Sequence, residues 1–224
     1  MLPHLSSSPE NPSSPHFFGR HARAALQSAR QKVADFFEVS PTQVIFTSGG
    51  TEGLNSCIKK EGKLITSTIE HPAILEPLAS YPHVTYLNVG PWGAILREDL
   101  QAALTAETKQ IILSAANSET GIKIDLFSIA SLAQEYKIPL IIDGVAFLGK
   151  EELKIPSGVA AMVFSSHKIH GPKGVGCIIL SPTFSFTSFI KGGGKNMAFE
   201  VGQKILRALW VLQKPSSSSL LVTT

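Results

Sequence analysis

The stretch Ala161–Lys168, AMVFSSHK, constrains the fold of this chain more than any other. An apolar run closes on Ser165-Ser166-His167-Lys168, and a glycine-rich return, Gly171-Pro-Lys-Gly-Val-Gly176, follows it. Such a run suits a fully buried strand that delivers its polar end to one edge of a sheet. A lysine at the mouth of that strand is expected to be partly desolvated, which frees its amine as a nucleophile toward carbonyls. The serine and histidine before it can hydrogen-bond a phosphate at the same place.

Pro139–Gly144, PLIIDG, repeats the pattern with an acid at its end. Alone, Asp143 reads most simply as the cap of a following turn. A strand ending in an acid, followed by one ending in a lysine, instead suits pyridoxal phosphate (PLP). That cofactor needs an amine for its aldehyde, donors for its phosphate and a carboxylate for its pyridine nitrogen.

Two further strand-like runs end in polar groups. Gln43–Glu52, QVIFTSGGTE, passes from a β-branched run through a glycine turn into the helix-compatible TEGLNSCIKK. Glycines allow close backbone approach, and free N–H groups at a helix start attract an anion, so Gly50 and Thr51 are candidate phosphate contacts. The turn is not a Walker A loop, because no Gly-Lys-Ser/Thr follows it. Gly171–Gly176 is likewise read as a turn entering a strand, Val175–Leu180. Lys63–Pro72, KLITSTIEHP, ends in Glu-His-Pro. His71 would arrive at the carboxyl edge of the same sheet, where ligands of open α/β sheets collect.

Helical spacing is expected over Arg20–Phe37 and Leu126–Tyr136, and a buried strand over Ile111–Ala116, ending at Asn117-Ser-Glu. The alternation predicts an α/β fold, a mainly parallel sheet with helices on both faces and right-handed connections. The two cysteines among 224 residues exclude a disulfide framework and suit a reducing cytoplasm. Cys57 and Cys177 sit in a helix-like and a strand-like run and read as small buried hydrophobes. The N-terminus lacks the basic start and apolar core of a secretory signal, and no apolar run is long enough to span a membrane. Net charge is +3 with the basic residues scattered, which argues against nucleic acid as a partner.

In this order, the motifs resemble the cysteine desulfurases of the class V aminotransferase group, NifS-like PLP enzymes of fold type I. The matching pieces are Asn11-Pro-Ser-Ser14 with Gly19-Arg20, Phe46-Thr-Ser-Gly-Gly-Thr-Glu52, Glu70-His71 and Asn117-Ser-Glu-Thr-Gly121. Asp143-Gly144, Ser165-Ser-His-Lys168 with Gly171–Gly176, and the triplet Gly192–Gly194 complete the set. The resemblance implies that Lys168 carries the cofactor, that Asp143 pairs with its pyridinium, and that His71 stacks on the ring as acid or base. Thr51, Ser165 and His167 match phosphate contacts, beside the Gly50 read from its turn; Asn117 and Ser118 are counted with the cofactor contacts, at the places of the family's two asparagines, the second of which hydrogen-bonds the cofactor. No metal ligands are implied. The substrate implied is L-cysteine, whose sulfur passes to an enzyme thiol and leaves alanine. A homodimer and a part in iron–sulfur cluster assembly are implied as well.

The departures are specific. Ser118 stands where the family's second asparagine meets the cofactor, and Ala146 where a glutamine meets its phenolic oxygen. Glu200, Val201, Gly202 and Gln203 replace the arginine and Ser-Gly-Thr expected after the glycine triplet. A hydrogen bond lost from a buried polar site costs about 1–3 kcal/mol, so weaker PLP binding is expected. The organisation expected is an extended segment over 1–19, a PLP-binding α/β domain over 20–190, a remnant loop and helix over 191–212 and a disordered tail over 213–224. The family's small domain, with its acceptor cysteine and carboxylate-binding arginine, is missing from this reading. Three functions are therefore open: a PLP-dependent desulfurase, a degenerate PLP-binding relative without desulfurase activity, and a non-enzymatic fragment acting through association.

Overall fold

The structure, a computed structural model, describes residues 11–187. The triplet Gly192–Gly194, the segment 191–212 and the tail 213–224 lie outside them. Helix α1 (Phe17–Phe37) begins ahead of Arg20 because His16 caps it, Nδ1 accepting from the Gly19 amide. Its buried residues, among them Ala22, Leu26, Ala29, Val33 and Ala34, recur at helical spacing and form the face turned to the sheet. Glu38 ends the helix in the left-handed conformation, its amide and that of Val39 returning to the last turn.

The chain then alternates. Strand β1 (Val44–Thr47) leads into α2 (Gly50–Cys57), and β2 (Lys63–Ser67) into α3 (Pro72–Ala79). Strand β3 (Val84–Leu87) leads into α4 (Arg97–Ala103), and β4 (Thr108–Ser114) into α5 (Leu126–Glu135). Strands β5 (Leu140–Asp143), β6 (Val159–Ser165) and β7 (Gly176–Leu180) close the described part. The expected strand Ile111–Ala116 ends at Ser114, since Ala116 leaves the ladder to bridge Lys123 as the chain turns.

The seven strands make one sheet in the order β1-β7-β6-β5-β4-β2-β3. β7 runs antiparallel to β1 and β6, and every other neighbouring pair is parallel. Side chains alternate along each strand between two cores. Ile111, Leu113, Leu140, Ile142 and Phe164 pack with α1, α4 and α5 on one face. Ile112, Ile141, Ala161, Val163 and Ile178 pack with α2 and α3 on the other. The mainly parallel sheet covered on both faces is therefore as the apolar runs predict. Each fully buried Leu or Ile contributes roughly 1.5–3 kcal/mol relative to exposure, in keeping with β5 and β6, which are apolar up to their last residue.

The winding also creates a crevice. From β2 the chain departs through α3 on one face, whereas from the neighbouring β4 it departs through α5 on the other. The connections leaving the carboxyl ends of β2 and β4 thus diverge to opposite faces, which makes a topological switch point, where α/β sheets take ligands.

Candidate functional site

The parallel strands end on one edge, and the polar groups read from the sequence arrive there in sequence-distant loops. The antiparallel β7 starts on that same edge, and its first residue is held tightly. A Cβ on Gly176 would lie 2.6 Å from the Phe164 carbonyl oxygen and 2.8 Å from the Gly49 backbone. A Cβ on Gly50 would meet Val145 Cγ2 at 2.8 Å. The glycines are thus required by close approach of three loops, those after β1 and β5 and the return into β7.

A cleft of about 370 Å³ opens between the loop after β1, the turn after β6 and the return into β7. Gly49, Gly50, Thr51, Ser165, His167 and Lys173 contribute to its lining. The start of α2 supplies backbone N–H groups, and Ser165 Oγ lies 2.8 Å from His167 Nδ1. Glu52 also reaches the cleft, with its carboxylate engaged by the Ser48 amide at 2.7 Å. Hydroxyls, amides and two basic side chains in one hollow are the donor set a phosphate requires.

Asp143 ends β5 opposite Val163 of β6 and Ser114 of β4. It is 7% exposed, and its Oδ1 accepts from the Val145 amide at 2.9 Å. Burial pushes its carboxyl above the ordinary aspartate range, partly offset by that hydrogen bond and by His71. His71 itself is exposed and caps α3, its Nδ1 accepting from the Ala73 amide at 3.0 Å. In the neutral ring the proton therefore sits on Nε2, so His71 meets a neighbour as a donor.

Lys168 follows β6 in a short 3₁₀ turn, Ser166–Ile169, and is exposed. The partial desolvation expected of it is not supplied by this chain: β6 is buried only up to Ser166, and the turn carries the lysine beyond the core. Asn117 is used as a brace. Its Nδ2 donates to the Ile69 carbonyl at 2.8 Å, and its Oδ1 accepts from the Glu119 and Thr120 amides at 3.0 and 2.9 Å. Ser118 is exposed beside it. Gly50, Thr51, Ser165 and His167 thus share one cleft, His71 acts electrostatically on Asp143, and Asn117 ties two of the loops together.

Three residues of this edge receive no role from the sequence, although Glu70 and Lys173 lie inside quoted motifs. Lys173 was hidden in what reads as a turn, and Ser114 in an apolar strand. Glu70 stood next to His71 with no periodicity to mark it. Its carboxyl is 7% exposed and accepts from Ser67 Oγ at 2.6 Å and from Ser114 Oγ. Burial raises its pKa, the two hydroxyls oppose that, and the charge of Asp143 raises it further. Cys57 and Cys177 are buried, and burial pushes both thiols up to about 12, as inert core cysteines.

Comparison with known proteins agrees with this arrangement. The cysteine desulfurase IscS of Dictyoglomus turgidum is 36% identical over 208 residues, covering 87% of this chain and 53% of the relative. Cysteine desulfurase 2 of Trichormus variabilis is 33% identical over 226 residues, 96% of this chain and 57% of the relative. The chain thus spans a little over half the length of these curated relatives. A solved structure of a NifS-like protein superposes with a TM-score of 0.85 at 28% identity, over 91% of this chain and 60% of the other. Another, described as SspA in complex with cysteine, gives 0.87 at 29% identity, over 94% and 65%. With its loops converging on one sheet edge, and with the family model "Aminotransferase class-V" matching residues 2–206, this chain belongs to the class V aminotransferase family.

Proposed function

We propose that this chain is the cofactor-binding portion of a PLP-dependent cysteine desulfurase acting on L-cysteine. The observation that carries the reading is convergence. An acid at the end of β5, an amine just beyond the neighbouring β6 and a glycine-lined phosphate-sized cleft occupy one sheet edge. The donor set fits the cofactor's phosphate, since the hydroxyl residues Thr51 and Ser165 and the basic side chains of His167 and Lys173 line one hollow. Names of relatives and of the cysteine-bound neighbour favour a sulfur amino acid as substrate.

In this reading Gly50, Thr51, Ser165 and His167 hold the phosphate, with the α2 start adding its N–H groups. Asp143 keeps a proton on the pyridine nitrogen, and Lys168 provides the amine that attaches the cofactor. Asn117 positions the exits of β2 and β4, and Ser118 lies at the same rim. His71 delivers a proton from Nε2. When bound, PLP supplies an electron sink for the bonds at the substrate's α-carbon. Cys57 and Cys177, buried with thiols pushed up to about 12, are not placed to accept the sulfur. A cytoplasmic homodimer feeding iron–sulfur cluster assembly belongs to the same proposal, supported by the free cysteines and the family membership.

The test is chemical. Purified protein mixed with PLP should develop the visible absorption of a lysine-linked cofactor, and borohydride should fix the label on Lys168, located by peptide mapping. Lys168→Ala should show neither. Equal behaviour of wild type and variant overturns the reading.

A further inference from the structure

Asn55 has no part in the proposed function, yet its side chain joins two elements of the site. It stands half-buried on α2, one turn after Thr51. Its Nδ2 donates to the Thr51 carbonyl at 2.9 Å and, across to α3, to the Ala73 carbonyl at 3.3 Å. Both partners are carbonyl oxygens, which only accept, so the amide must face them with its nitrogen.

Ala73 is also the residue through which His71 is fixed. Its amide donates to His71 Nδ1, while its carbonyl receives Asn55. That carbonyl is open to a side chain for a reason visible in the sequence. Four residues on stands Pro77, inside α3, and proline has no N–H to return to Ala73. Asn55 supplies the bond that Pro77 cannot. Leu54 and Cys57 of α2 share one apolar cluster with Ala73, Ile74 and Leu78 of α3, so the two helices are packed as well as bonded.

The link runs between the two ends of the proposed site. Thr51 lines the phosphate cleft, and His71 acts on Asp143, the acid assigned to the pyridine nitrogen. Building on the PLP reading, we infer that Asn55 is a positioning residue: by holding the Thr51 and Ala73 carbonyls together, it sets the spacing between the turn that binds the phosphate and the histidine that meets the ring. A ligand that engages both ends feels that spacing. One that engages only the phosphate turn does not.

The experiment compares PLP with inorganic phosphate on wild type, Asn55→Leu, Pro77→Ala and the double variant. Asn55→Leu keeps the shape of the side chain and removes its donors. Pro77→Ala gives the Ala73 carbonyl a backbone partner, so the double variant has a repaired helix and no tether. Removing Asn55, with or without Pro77→Ala, should raise the dissociation constant for PLP about 2- to 10-fold, the range an aromatic contact is worth. The constant for inorganic phosphate, read by phosphorus NMR, should not change. Equal weakening of both ligands overturns the inference, because Asn55 would then only shape the cleft. An unchanged PLP constant overturns it too. So does wild-type PLP binding in the double variant, since Asn55 would then serve the helix alone. Should Asn55→Leu show no cooperative melt, Pro77→Ala against the double variant decides. Failure of the PLP reading is seen separately, as wild-type protein that borohydride cannot label at Lys168.

Discussion

Nδ1 of His71 is committed to the Ala73 amide, and this separates its local part in the helix from its proposed part in proton transfer. Replacing it by alanine removes the cap of α3 and should lower stability by about 1 kcal/mol in denaturant melts. His71→Asn restores a good cap without a titratable ring, so it should unfold like wild type; under the proposed function it would at the same time lose alanine production from cysteine. If His71→Ala and wild type unfold together, the cap assignment is wrong. The cysteines make a second case at this scale. Cys57 and Cys177, both buried, should resist a thiol reagent at neutral pH in native protein and react fully in denaturant.

At the scale of elements, the antiparallel β7 is wedged between β1 and β6 by a contact that excludes a side chain. Gly176→Ala would place a methyl 2.8 Å from the Gly49 backbone, forcing β7 or the glycine turn to shift. A loss of about 1–3 kcal/mol is expected, read as a lowered denaturation midpoint. Gly49→Ala is the contrast, since its Cβ meets only Ser165 Oγ at 3.8 Å and its backbone is extended. That variant should remain within about 0.5 kcal/mol of wild type. Element types were legible in the sequence because a strand covered on both faces leaves a short run that is apolar up to its polar end, as VIFT and LIID do. The antiparallel direction of β7 was not legible, because Gly176–Leu180 is as apolar as its parallel neighbours. Only its pairing partners reveal its direction. The start of α1 was missed for a related reason: Phe17 and Phe18 are exposed, so apolar periodicity says nothing of them, and the cap at His16 decides.

For the whole molecule, two buried carboxyls at one sheet edge give stability a definite pH dependence. Asp143 and Glu70 both have folded pKa values raised above the ordinary carboxylate range, chiefly by burial. A raised folded value means that the native state binds the proton more tightly than the unfolded chain. Their contribution is therefore fully present below the ordinary carboxylate range and is lost as pH rises through the folded values. Thermal melts of cofactor-free protein should show this decline, and the double variant Glu70→Gln/Asp143→Asn should flatten it. A wild-type slope retained by the double variant would assign the dependence elsewhere.

The sequence alone determined the architecture and the identities at the sheet edge, because burial writes apolar runs and chemistry interrupts them with Asp143, Ser165, His167 and Lys168. Tertiary structure alone decided how those groups stand. It left Lys168 exposed, turned Asn117 into a brace and clamped Glu70 between Ser67 of β2 and Ser114 of β4. Solvation and charge depend on neighbours from distant strands, and no local pattern along the chain records which strand ends will meet.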